Sequence, residues 1–574
     1  MDKQAQANTL HCDLLVVGSG AGGLATAVTA ARLGLKVVLA EKEAEFGGTT
    51  AWSGGWLWVP RNPLAIAAGI DEDPALPRQY LHSELGEDFN PALADAYLTH
   101  APRMVDFFQR HSLLRFIDGN LIPDFHGHSA GAATGGRSVC AAPFDGQLLG
   151  ARIHQLKKPL DVISLWGMGI ASGVELRHFL NASRSLASFA YVTRRVLAYW
   201  RDCLLHGRGM RLVNGNALAA ALAASALQAG VELRLSSPVR QLLREQDKVS
   251  GALLDTPDGP LTVHASHGVV LACGGFPHDV ARKRQLLAHA PSGQEHWSAA
   301  PASNTGDGLR LGEAVGGVMG EMASPMALAP VSLVPRADGS TAHFPHLIER
   351  AKPGLIAVTA NGQRFCNEAD SYHDFVSALL RTTPAGQPVQ AWLVADHRFV
   401  RRYGLGAVKP APMPLGRWLR NGYLQRGNTL QELARRCGIA PVALEQQVVR
   451  FNQQAATGQD SDFAKGDTPY NRVQGDKDNP WPNPCMAPLQ HGPYYAVKLV
   501  PGSLGSFAGL TTNASAQVLD EHRQPISGLY AVGNDMHSMM GGHYPSGGIT
   551  LGPAMTFGYL AAHHAAGRQP DSTL

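Results

Sequence analysis

The stretch DLLVVGSGAGGLATAVTAARLGLKVVLAEKEAEFGG, residues 13–48, contains the pattern that decides the fold. The apolar run from Leu14 to Val17 predicts a buried parallel strand, and an alanine-rich helix follows it as far as Leu33. A second strand is predicted from Lys36 to Ala40. Between the first strand and the helix, the turn GSGAGG at residues 18–23 has the glycine spacing of a loop that binds a dinucleotide. This order of elements predicts an α/β fold of the Rossmann type.

Each glycine of the turn has its own predicted role. Gly18 allows the tight turn, Gly20 lets the backbone approach a pyrophosphate, and Gly23 lets the helix pack closely against the strand. Glu41 follows the second strand, where an acidic side chain accepts hydrogen bonds from a ribose. The other positions assigned to this part of the site are Ser19, Ala21, Gly22 and Lys42.

The segment GGTTAWSGG, residues 47–55, comes next and resembles a loop of the flavoprotein family of fumarate reductases, succinate dehydrogenases and 3-ketosteroid dehydrogenases. In that family the loop lies along the pyrophosphate of FAD and reaches the isoalloxazine. The resemblance therefore implies FAD. It also implies a non-covalent cofactor, because the histidine of the covalent flavin link is absent. The residues that carry over are Gly48, Thr49, Thr50, Ser53, Gly54 and Gly55.

Four later segments resemble FAD contacts of the same family. VELRLSSPVRQLL predicts a strand ending near Val239, and GVVLACGGF at residues 268–276 predicts a buried strand with a glycine turn. NTGDGLRLGEAVGG at residues 304–317 predicts the start of a helix, and ISGLYAVGND at residues 526–535 predicts a strand that returns to the flavin. The residues they add to the predicted cofactor site are Val239, Ala272, Gly274, Asn304, Thr305, Gly306, Asp307, Gly533 and Asn534.

These segments come from both ends of the chain, so the predicted FAD-binding domain is discontinuous. We expect residues 1–280 and 487–574 to form this Rossmann-like domain, with an inserted α+β substrate domain at residues 281–486. Within the insert, residues 429–456 predict two helices with a turn at Gly438. The polar, proline-rich segment at residues 460–484 is interpreted as a connector.

Near the C-terminus, GGHYPSGGITLGPA at residues 541–554 places one tyrosine in a glycine-rich turn before a predicted helix. The segment closely resembles the signature of 3-ketosteroid dehydrogenases. In those enzymes the tyrosine hydroxyl and a backbone N–H four residues later hydrogen-bond the substrate ketone, which assigns Tyr544 and Gly548 to this role. The positions assigned to the cofactor in this segment are Gly548, Ile549, Thr550 and Leu551.

The same resemblance implies a catalytic base in RFCNEADSYHDF, residues 364–375, where Tyr372 matches the family's tyrosine. The implied reaction removes a proton next to the ketone and transfers a hydride from the neighbouring carbon to flavin N5, which leaves a conjugated enone. A free tyrosine has a pKa near 10, so this base requires help from a hydrogen bond or a positive charge.

The sequence departs from the steroid 1,2-dehydrogenases at their second catalytic tyrosine. That tyrosine follows an aspartate in the family, whereas this chain has Asp124-Phe125. Either His126 substitutes for the missing phenol or the reaction is not 1,2-desaturation. Ser546 points to the second alternative, because the related 3-ketosteroid 4-dehydrogenases use a serine near this position.

The arginines and the histidine with which the dicarboxylate branch binds fumarate or succinate are missing. Tyr372, Tyr544 and Gly505 occupy the matching positions, which favours a small hydrophobic ketone, with steroids preferred. The alternatives are an enone reductase acting on a non-steroid substrate and a flavin electron-transfer subunit. The electron acceptor is not identified.

Composition narrows the class of protein further. A net charge of +3 over 574 residues gives no reason to expect a nucleic-acid partner. The seven cysteines include no CxxC pair, and the His126-x-His128 pair lacks further ligands, so we expect neither a disulfide framework nor a metal site. The polar N-terminus MDKQAQANTLHCD lacks the apolar core of a signal peptide, and no apolar run is long enough to span a membrane. We therefore expect a cytoplasmic protein.

Residues 175–211 predict a helical, basic and aromatic segment. Its seven arginines are opposed only by Glu175 and Asp202. Such a helix can lie on an anionic membrane surface as a peripheral contact, and it can also be a solvated helix or a subunit contact.

Overall fold

The computed structural model describes residues 8–570, so the first seven residues of the polar N-terminal segment lie outside the described part of the chain. The strands are β1 (Asn8–Val17), β2 (Val37–Ala40), β3 (Trp56–Trp58), β4 (Phe116–Asp118), β5 (Ser138–Ala141), β6 (Phe144–Asp145), β7 (Arg211–Leu212), β8 (Glu232–Arg234), β9 (Val239–Glu245), β10 (Lys248–Thr256), β11 (Gly259–Leu271), β12 (Trp297–Ser298), β13 (Met326–Leu328), β14 (Val331–Pro335), β15 (Thr341–Pro345), β16 (Leu355–Val358), β17 (Ala391–Asp396), β18 (Gln425–Gly427), β19 (Tyr494–Leu499), β20 (Gly502–Ser506), β21 (Gln517–Leu519) and β22 (Pro525–Ala531).

The α-helices are α1 (Ala21–Arg32), α2 (Pro63–Ala67), α3 (Ala75–Leu85), α4 (Pro91–His111), α5 (Val174–Leu180), α6 (Leu186–His206), α7 (Asn214–Gln228), α8 (Val280–Leu286), α9 (Asp307–Glu313), α10 (Tyr372–Thr382), α11 (His397–Tyr403), α12 (Gly416–Arg420), α13 (Leu430–Cys437), α14 (Pro441–Thr457), α15 (Pro469–Gln474) and α16 (Leu551–Ala565). Short 3-10 helices lie at Gly48–Trp52, Gly86–Asp88, Gly146–Gln155, Glu349–Ala351 and Gly533–Asp535.

The central sheet joins strands from both ends of the chain in the order β21-β22-β10-β11-β1-β2-β8, with β9 paired to β10. β1 lies between two parallel partners, with Leu14 opposite Val37 on one side and Gly268 on the other. Leu14 to Val17 are buried, because α1 packs on β1 and is itself covered by α7 and α16. The predicted α/β fold of the Rossmann type is confirmed.

The inserted region builds a second sheet with the antiparallel order β16-β17-β19-β18. Helices α13 and α14 cover it and are joined at Gly438, whose φ of 69° ends α13. β19 belongs to this sheet although it follows residue 486, the predicted boundary of the insert. The second sheet therefore continues to residue 499.

Val239 begins β9, whereas the sequence predicted that a strand would end there. β8 stops at Arg234 because the chain turns at Ser236, which has a φ of 51°, and reaches Pro238 before the next strand starts. Val239 consequently lies at the start of a strand that pairs with β10.

The basic segment forms two helices, α5 and α6, rather than one. α6 ends at Gly207, which has a φ of 73°, so Arg208 and Arg211 lie beyond it. Arg208 is buried and donates to the carbonyl groups of Ile153 and Leu156. Within residues 8–570, no helix is both long enough and apolar enough to cross a bilayer.

Candidate active site

A cavity of about 1940 Å³ lies between the central sheet and the inserted region. It is about twice the upper end of the usual size of a small-molecule pocket, so it has room for two ligands. The predicted residues that line it are Gly18, Ser19, Gly20, Ala21, Gly22, Glu41, Lys42, Gly48, Thr49, Thr50, Ser53, Gly54, Gly55, Val239, Ala272, Gly274, Asn304, Asp307, Tyr372, Gly533, Asn534, Tyr544, Gly548, Thr550 and Leu551.

Other predicted residues lie behind the wall of the cavity: Gly23, Thr305, Gly306, His126, Ser546 and Ile549. Gly23 has a packing role, because a Cβ there would lie 2.0 Å from the Gly18 carbonyl oxygen. Gly18 itself has a φ of 107°, which only glycine adopts readily. At Gly20 a Cβ would meet only the Thr50 hydroxyl, at an ordinary contact distance of 3.6 Å, and the residue lines the cavity, so its backbone is accessible to a ligand.

The Glu41 carboxylate is held in place at the end of β2. It accepts hydrogen bonds from the backbone N–H of Ser19 at 3.0 Å, from the Ser19 hydroxyl at 2.5 Å and from the N–H of Glu43 at 3.0 Å. The side chain is buried at the cavity wall. This arrangement orients a carboxylate toward the cavity, where it can accept hydrogen bonds from a sugar hydroxyl.

The loop at residues 47–55 is tied to the glycine turn and to the inserted region. The Thr50 hydroxyl accepts from the N–H of Ala21 at 2.9 Å, and the Asn304 amide donates to the Thr49 hydroxyl at 2.9 Å. Lys42 forms an ion pair with Asp307 across the same part of the cavity. These contacts bring distant segments together around one elongated space.

Two helices, α1 and α16, point their N-termini at the cavity. Neither start has a side-chain cap or an acidic residue in its first turn. The Ala21 N–H donates to Thr50, but within residues 8–570 nothing accepts from the N–H groups of Gly22, Gly23 and Leu551. These N–H groups are available to an electron-rich ligand, and the positive ends of both helix dipoles face the same space.

Asp535 is a residue of this region that the sequence analysis missed. Its carboxylate accepts from the N–H of Cys273 at 2.5 Å and from that of Gly275 at 3.0 Å, which fixes the glycine turn after β11. Burial raises the pKa of Asp535 to about 6. Its position directly after Asn534 was the available signal.

At the other end of the cavity, Tyr372 and Tyr544 meet edge to face with ring centroids 4.8 Å apart. Tyr372 is the first residue of α10, and Tyr544 lies in the turn before α16. Phe125 contacts both rings, at 5.7 Å from Tyr372 and 5.9 Å from Tyr544. The structure thus brings together two predicted phenols that are more than 170 residues apart.

Gly548 offers a free donor beside these phenols. Its φ is 100°, and a Cβ would lie 2.6 Å from the Trp58 nitrogen, so no other residue fits without strain. Its carbonyl accepts from the N–H groups of Trp58 at 3.1 Å and Gly552 at 3.0 Å. Within the described part of the chain, nothing accepts from the Gly548 N–H, which is therefore available to a ligand.

Both phenols are strongly buried. Burial raises the pKa of Tyr544 to about 12, although hydrogen bonds with Tyr372 and Thr550 lower it. The pKa of Tyr372 is raised well above 10 by burial first, and then by the charge and the hydrogen bond of Tyr544. The chain itself therefore keeps both phenols protonated near neutral pH, and the lowered pKa expected for a tyrosine base is not found at Tyr372.

Tyr470 is a third phenol in the cavity wall, and the sequence analysis missed it. It belongs to α15, inside the segment interpreted as a connector, and its ring lies 4.3 Å from that of Phe125. Burial raises its pKa, and no residue of the described chain hydrogen-bonds its hydroxyl. The one signal in the sequence was a tyrosine within a segment that is otherwise mostly polar.

His126 lies behind the cavity wall, in contact with two carboxylates. Its Nε2 is 2.7 Å from Asp374, and its Nδ1 contacts Glu84. Burial lowers the pKa of His126, but the hydrogen bonds and charges of these carboxylates outweigh burial and raise the pKa to about 10. Because carboxylates engage both ring nitrogens, no ring nitrogen is left to accept a proton from a substrate, and these contacts do not suit His126 to the role of base.

Ser546 is buried beside Asp124. Asp124 accepts from the Trp58 indole at 2.8 Å and from Arg137 at 2.5 Å, so Ser546 faces a structural ion pair. The structure does not bring the Ser546 side chain to the cavity.

A family model covers almost the whole chain. The model of the FAD binding domain family covers residues 13–551 of the chain. The chain belongs to this family.

Two curated relatives and one solved structure extend over nearly the whole FAD-binding chain. It is 38% identical over 562 residues to 4-oxocyclohex-2-ene-1-carboxylate 5-dehydrogenase of Sinomonas cyclohexanicum, covering 98% of this chain and 95% of the relative. It is 35% identical over 570 residues to 3-oxosteroid 1-dehydrogenase of Mycobacterium tuberculosis, covering 96% and 98%. The crystal structure of 3-ketosteroid delta1-dehydrogenase from Sterolibacterium denitrificans in complex with 1,4-androstadiene-3,17-dione superposes with a TM-score of 0.89 at 35% identity, covering 97% and 99%. The protein is an FAD-dependent oxidoreductase related to enzymes that act on CH–CH bonds.

The nucleotide end of the cavity fits FAD. Gly20 leaves room for close approach of the backbone, the uncapped start of α1 suits a pyrophosphate, and the Glu41 carboxylate suits a ribose. The second uncapped helix start, that of α16, lies next to Gly548 and suits the electron-rich edge of a flavin.

Proposed function

We propose that this protein is a dehydrogenase that introduces a carbon–carbon double bond next to the ketone of a cyclic, largely apolar substrate. The observation that carries the proposal is the meeting of Tyr372, Tyr544 and Gly548 in the cavity whose other end fits FAD. One hydroxyl group and the free N–H suit a ketone oxygen, and the second hydroxyl group suits the C–H beside it. The activities named for the two curated relatives support this chemistry.

The residues at the nucleotide end hold the cofactor in this proposal. The glycine turn and the start of α1 bind the pyrophosphate, Glu41 binds the ribose, and Val239 borders the adenine. The loop at residues 47–55 and the start of α16 border the isoalloxazine. Bound FAD supplies the acceptor for the hydride that leaves the substrate.

Tyr544 and Gly548 form an oxyanion hole. The Tyr544 hydroxyl and the Gly548 N–H donate to the ketone oxygen, and both hydrogen bonds strengthen as negative charge develops there. This stabilisation acidifies the adjacent C–H. The dense packing of both residues keeps the two donors in place before the substrate arrives.

Tyr372 accepts the proton from that C–H. Because burial disfavours a free phenolate at Tyr372, its own hydroxyl proton must move on as the substrate proton arrives. Tyr470 lines the same cavity and packs on Phe125, which also contacts Tyr372, and its hydroxyl has no partner in the described chain. In this proposal Tyr470 passes a proton on to bulk water as it receives one from Tyr372, so that both phenols end neutral. Tyr470 thus supplies the hydroxyl of the second catalytic tyrosine, whose position is occupied by Phe125 in this chain.

The surroundings of the phenols favour a neutral ketone over a small oxo-carboxylate. Phe125 and Phe507 pack against Tyr544. Arg350 acts on Tyr372 by its charge, but its guanidinium donates to three backbone carbonyl groups and is not free to bind a carboxylate. Apolar residues elsewhere in the wall suit a polycyclic ketone such as a 3-ketosteroid: Leu160, Ile163, Leu165, Leu347, Leu405 and Val408.

Anaerobic mixing of the holoenzyme with a panel of ketones tests this function. We expect a 3-ketosteroid to bleach the flavin absorbance faster than 4-oxocyclohexanecarboxylate does. Succinate should not bleach it, because Tyr372 and Tyr544 occupy the positions of the missing arginines. Faster bleaching by 4-oxocyclohexanecarboxylate would reject a steroid as the preferred substrate but would still support desaturation next to a ketone. No bleaching by any cyclic ketone would refute the proposed function.

A further inference from the structure

We propose that the surface formed by α5, α6 and the preceding loop, residues 163–205, binds an anionic membrane and that the ketone enters the cavity from the lipid. The entry of the ketone rests on the proposed function, whereas the membrane contact stands on the surface alone. We call this surface the α5–α6 face.

The α5–α6 face concentrates exposed apolar side chains. Nine of the twenty large apolar residues that lie exposed within residues 8–570 belong to it. A concentration of exposed apolar residues on neighbouring elements is typical of an interaction surface, whereas single exposed residues are ordinary. The nine residues are Ile163, Trp166, Val174, Leu186, Phe189, Leu197, Trp200, Leu204 and Leu205.

Most of these residues form one stripe along α6. Leu186, Phe189, Leu197, Trp200 and Leu204 are spaced so that they share one side of an α-helix. Of the 21 residues of α6, only two, both polar, are buried. The helix therefore lies on the surface with its apolar stripe facing outward.

Arginines lie beside this stripe. Arg184, Arg194 and Arg201 are exposed, and within the described chain the first two have no carboxylate partner. The acidic residues of the segment are already engaged: Glu175 is buried against Arg195 and Arg211. The face therefore carries uncompensated positive charge next to apolar side chains.

A lipid surface fits this face better than a second copy of the chain does. A two-fold contact would place the same patch on both partners and bring arginines against arginines, with no free acidic residue to pair with them. An anionic bilayer instead offers acyl chains to the stripe and negative headgroups to the arginines. The pair Trp166 and Trp200, 6.0 Å apart, is of the type that accumulates at membrane interfaces.

The same two helices also line the cavity. Leu176 and Phe179 of α5 and Tyr191 and Val192 of α6 belong to its wall. Only this helical layer separates the exposed stripe from the cavity, so an apolar ketone dissolved in lipid has a short path to the phenols.

Sedimentation of the holoenzyme with vesicles tests the membrane contact. Vesicles of phosphatidylcholine and phosphatidylglycerol are compared with vesicles of phosphatidylcholine alone, at low and high salt. The variants are Leu204→Gln/Leu205→Gln and Arg184→Gln/Arg194→Gln. The matched control is Val442→Gln/Val449→Gln, which changes two valines of α14 that are 64% and 52% exposed and lie outside the face.

We expect the wild type and the control to bind the anionic vesicles, and each α5–α6 variant to bind roughly tenfold more weakly. High salt should weaken the binding, since surface attraction is screened within about 10 Å at 0.1 M salt. An unbound wild type, or a control as impaired as the variants, would overturn the contact. The membrane contact would also be overturned if the wild type does not bind vesicles but forms a dimer in solution that Leu204→Gln/Leu205→Gln dissociates. That result would identify a second copy of the chain as the partner.

A rate measurement tests the entry from lipid. With a dye as electron acceptor, Leu204→Gln/Leu205→Gln should lose turnover of a 3-ketosteroid loaded into vesicles but keep turnover of the same ketone dispersed in cyclodextrin. Equal loss in both forms would overturn entry from lipid. No turnover by the wild type in either form would refute the proposed function, and the sedimentation result would still stand.

Discussion

The two ends of the cavity are built in different ways. At the nucleotide end, one continuous segment, residues 18–55, contributes the glycine turn, the start of α1, the Glu41 carboxylate and the loop at residues 47–55 to the cavity wall. At the ketone end, Tyr372, Tyr470 and Tyr544 come from three distant segments and meet around Phe125.

This difference predicts two separate kinds of mutational effect. Changes at the nucleotide end should alter the affinity for FAD and leave the rate of the loaded enzyme nearly intact. Changes at the ketone end should alter the rate and leave FAD bound, because none of the phenols is assigned to the cofactor. The following substitutions test that separation.

Tyr372→Phe should have the largest effect. Loss of the group that accepts the substrate proton should slow flavin reduction by roughly 100- to 10,000-fold, while FAD stays bound. Stopped-flow reduction with one good ketone measures it. Tyr530→Phe is the control, because it removes a buried hydroxyl that hydrogen-bonds His564, and neither residue lines the cavity. Near-normal bleaching in Tyr372→Phe would leave Tyr372 with a packing role alone.

Tyr544→Phe removes one of two donors to the ketone oxygen. A single oxyanion-hole donor is worth roughly 100- to 1,000-fold in rate, so we expect a loss in that range. The same stopped-flow experiment applies, with FAD content read from the absorbance. A loss of FAD in place of a loss of rate would break the separation between the two ends.

Glu41→Ala should act at the other end. Removing a carboxylate that holds Ser19 and faces the ribose should weaken FAD binding by roughly 1.5–3 kcal/mol, the range for a hydrogen bond to a charged group. Titration of the apoprotein with FAD measures the affinity, and Glu245→Ala, at an exposed position on β9, is the control. With saturating FAD the rate should return to that of the wild type, and a rate that stays low would contradict the assignment.

Tyr470→Phe should slow flavin reduction by roughly tenfold, the value of about one hydrogen bond. The sharper test is rescue by Phe125→Tyr, which places a hydroxyl next to Tyr372 again. The double variant Phe125→Tyr/Tyr470→Phe should recover most of the lost rate. An unchanged rate in Tyr470→Phe would exclude Tyr470 from the proton path, and a double variant no faster than Tyr470→Phe would show that its hydroxyl does not act beside Tyr372.

His126→Gln should have the smallest effect and one that depends on pH. The pKa of His126 is raised to about 10 in the folded protein, against about 6.5 in an unfolded chain. Its charge therefore contributes stability fully below about pH 6.5, and that contribution is lost as the pH rises through about 10. The melting temperatures of wild type and variant should differ most near pH 6 and converge toward pH 10. A difference that is constant with pH would show that the charge is not involved.

Much of the nucleotide end could be predicted because local sequence decides it. Gly18 needs its positive φ whatever surrounds it, and the apolar run before it forms a buried strand wherever a parallel sheet accepts it. Glu41 follows β2 by chain connectivity alone. Each of these features depends on backbone conformation within about thirty residues.

The ketone end was only partly predictable, because its geometry depends on packing between distant segments. Tyr470 lies in a polar segment that looks like a connector, and only the folding of α15 against Phe125 brings its hydroxyl into the cavity. His126 stands next to Phe125 in sequence, yet the carboxylates of Asp374 and Glu84 hold it protonated behind the wall.

The sequence by itself determined the Rossmann-type fold, the family and the cofactor. The reason is that the glycine spacing, and the succession of strand, turn, helix and strand along the chain, are local properties. Only the tertiary structure decided which side chains share the cavity, since burial and charge at a side chain depend on the residues packed around it. It also decided that the stripe of α6 faces outward, because both of the buried residues of that helix are polar.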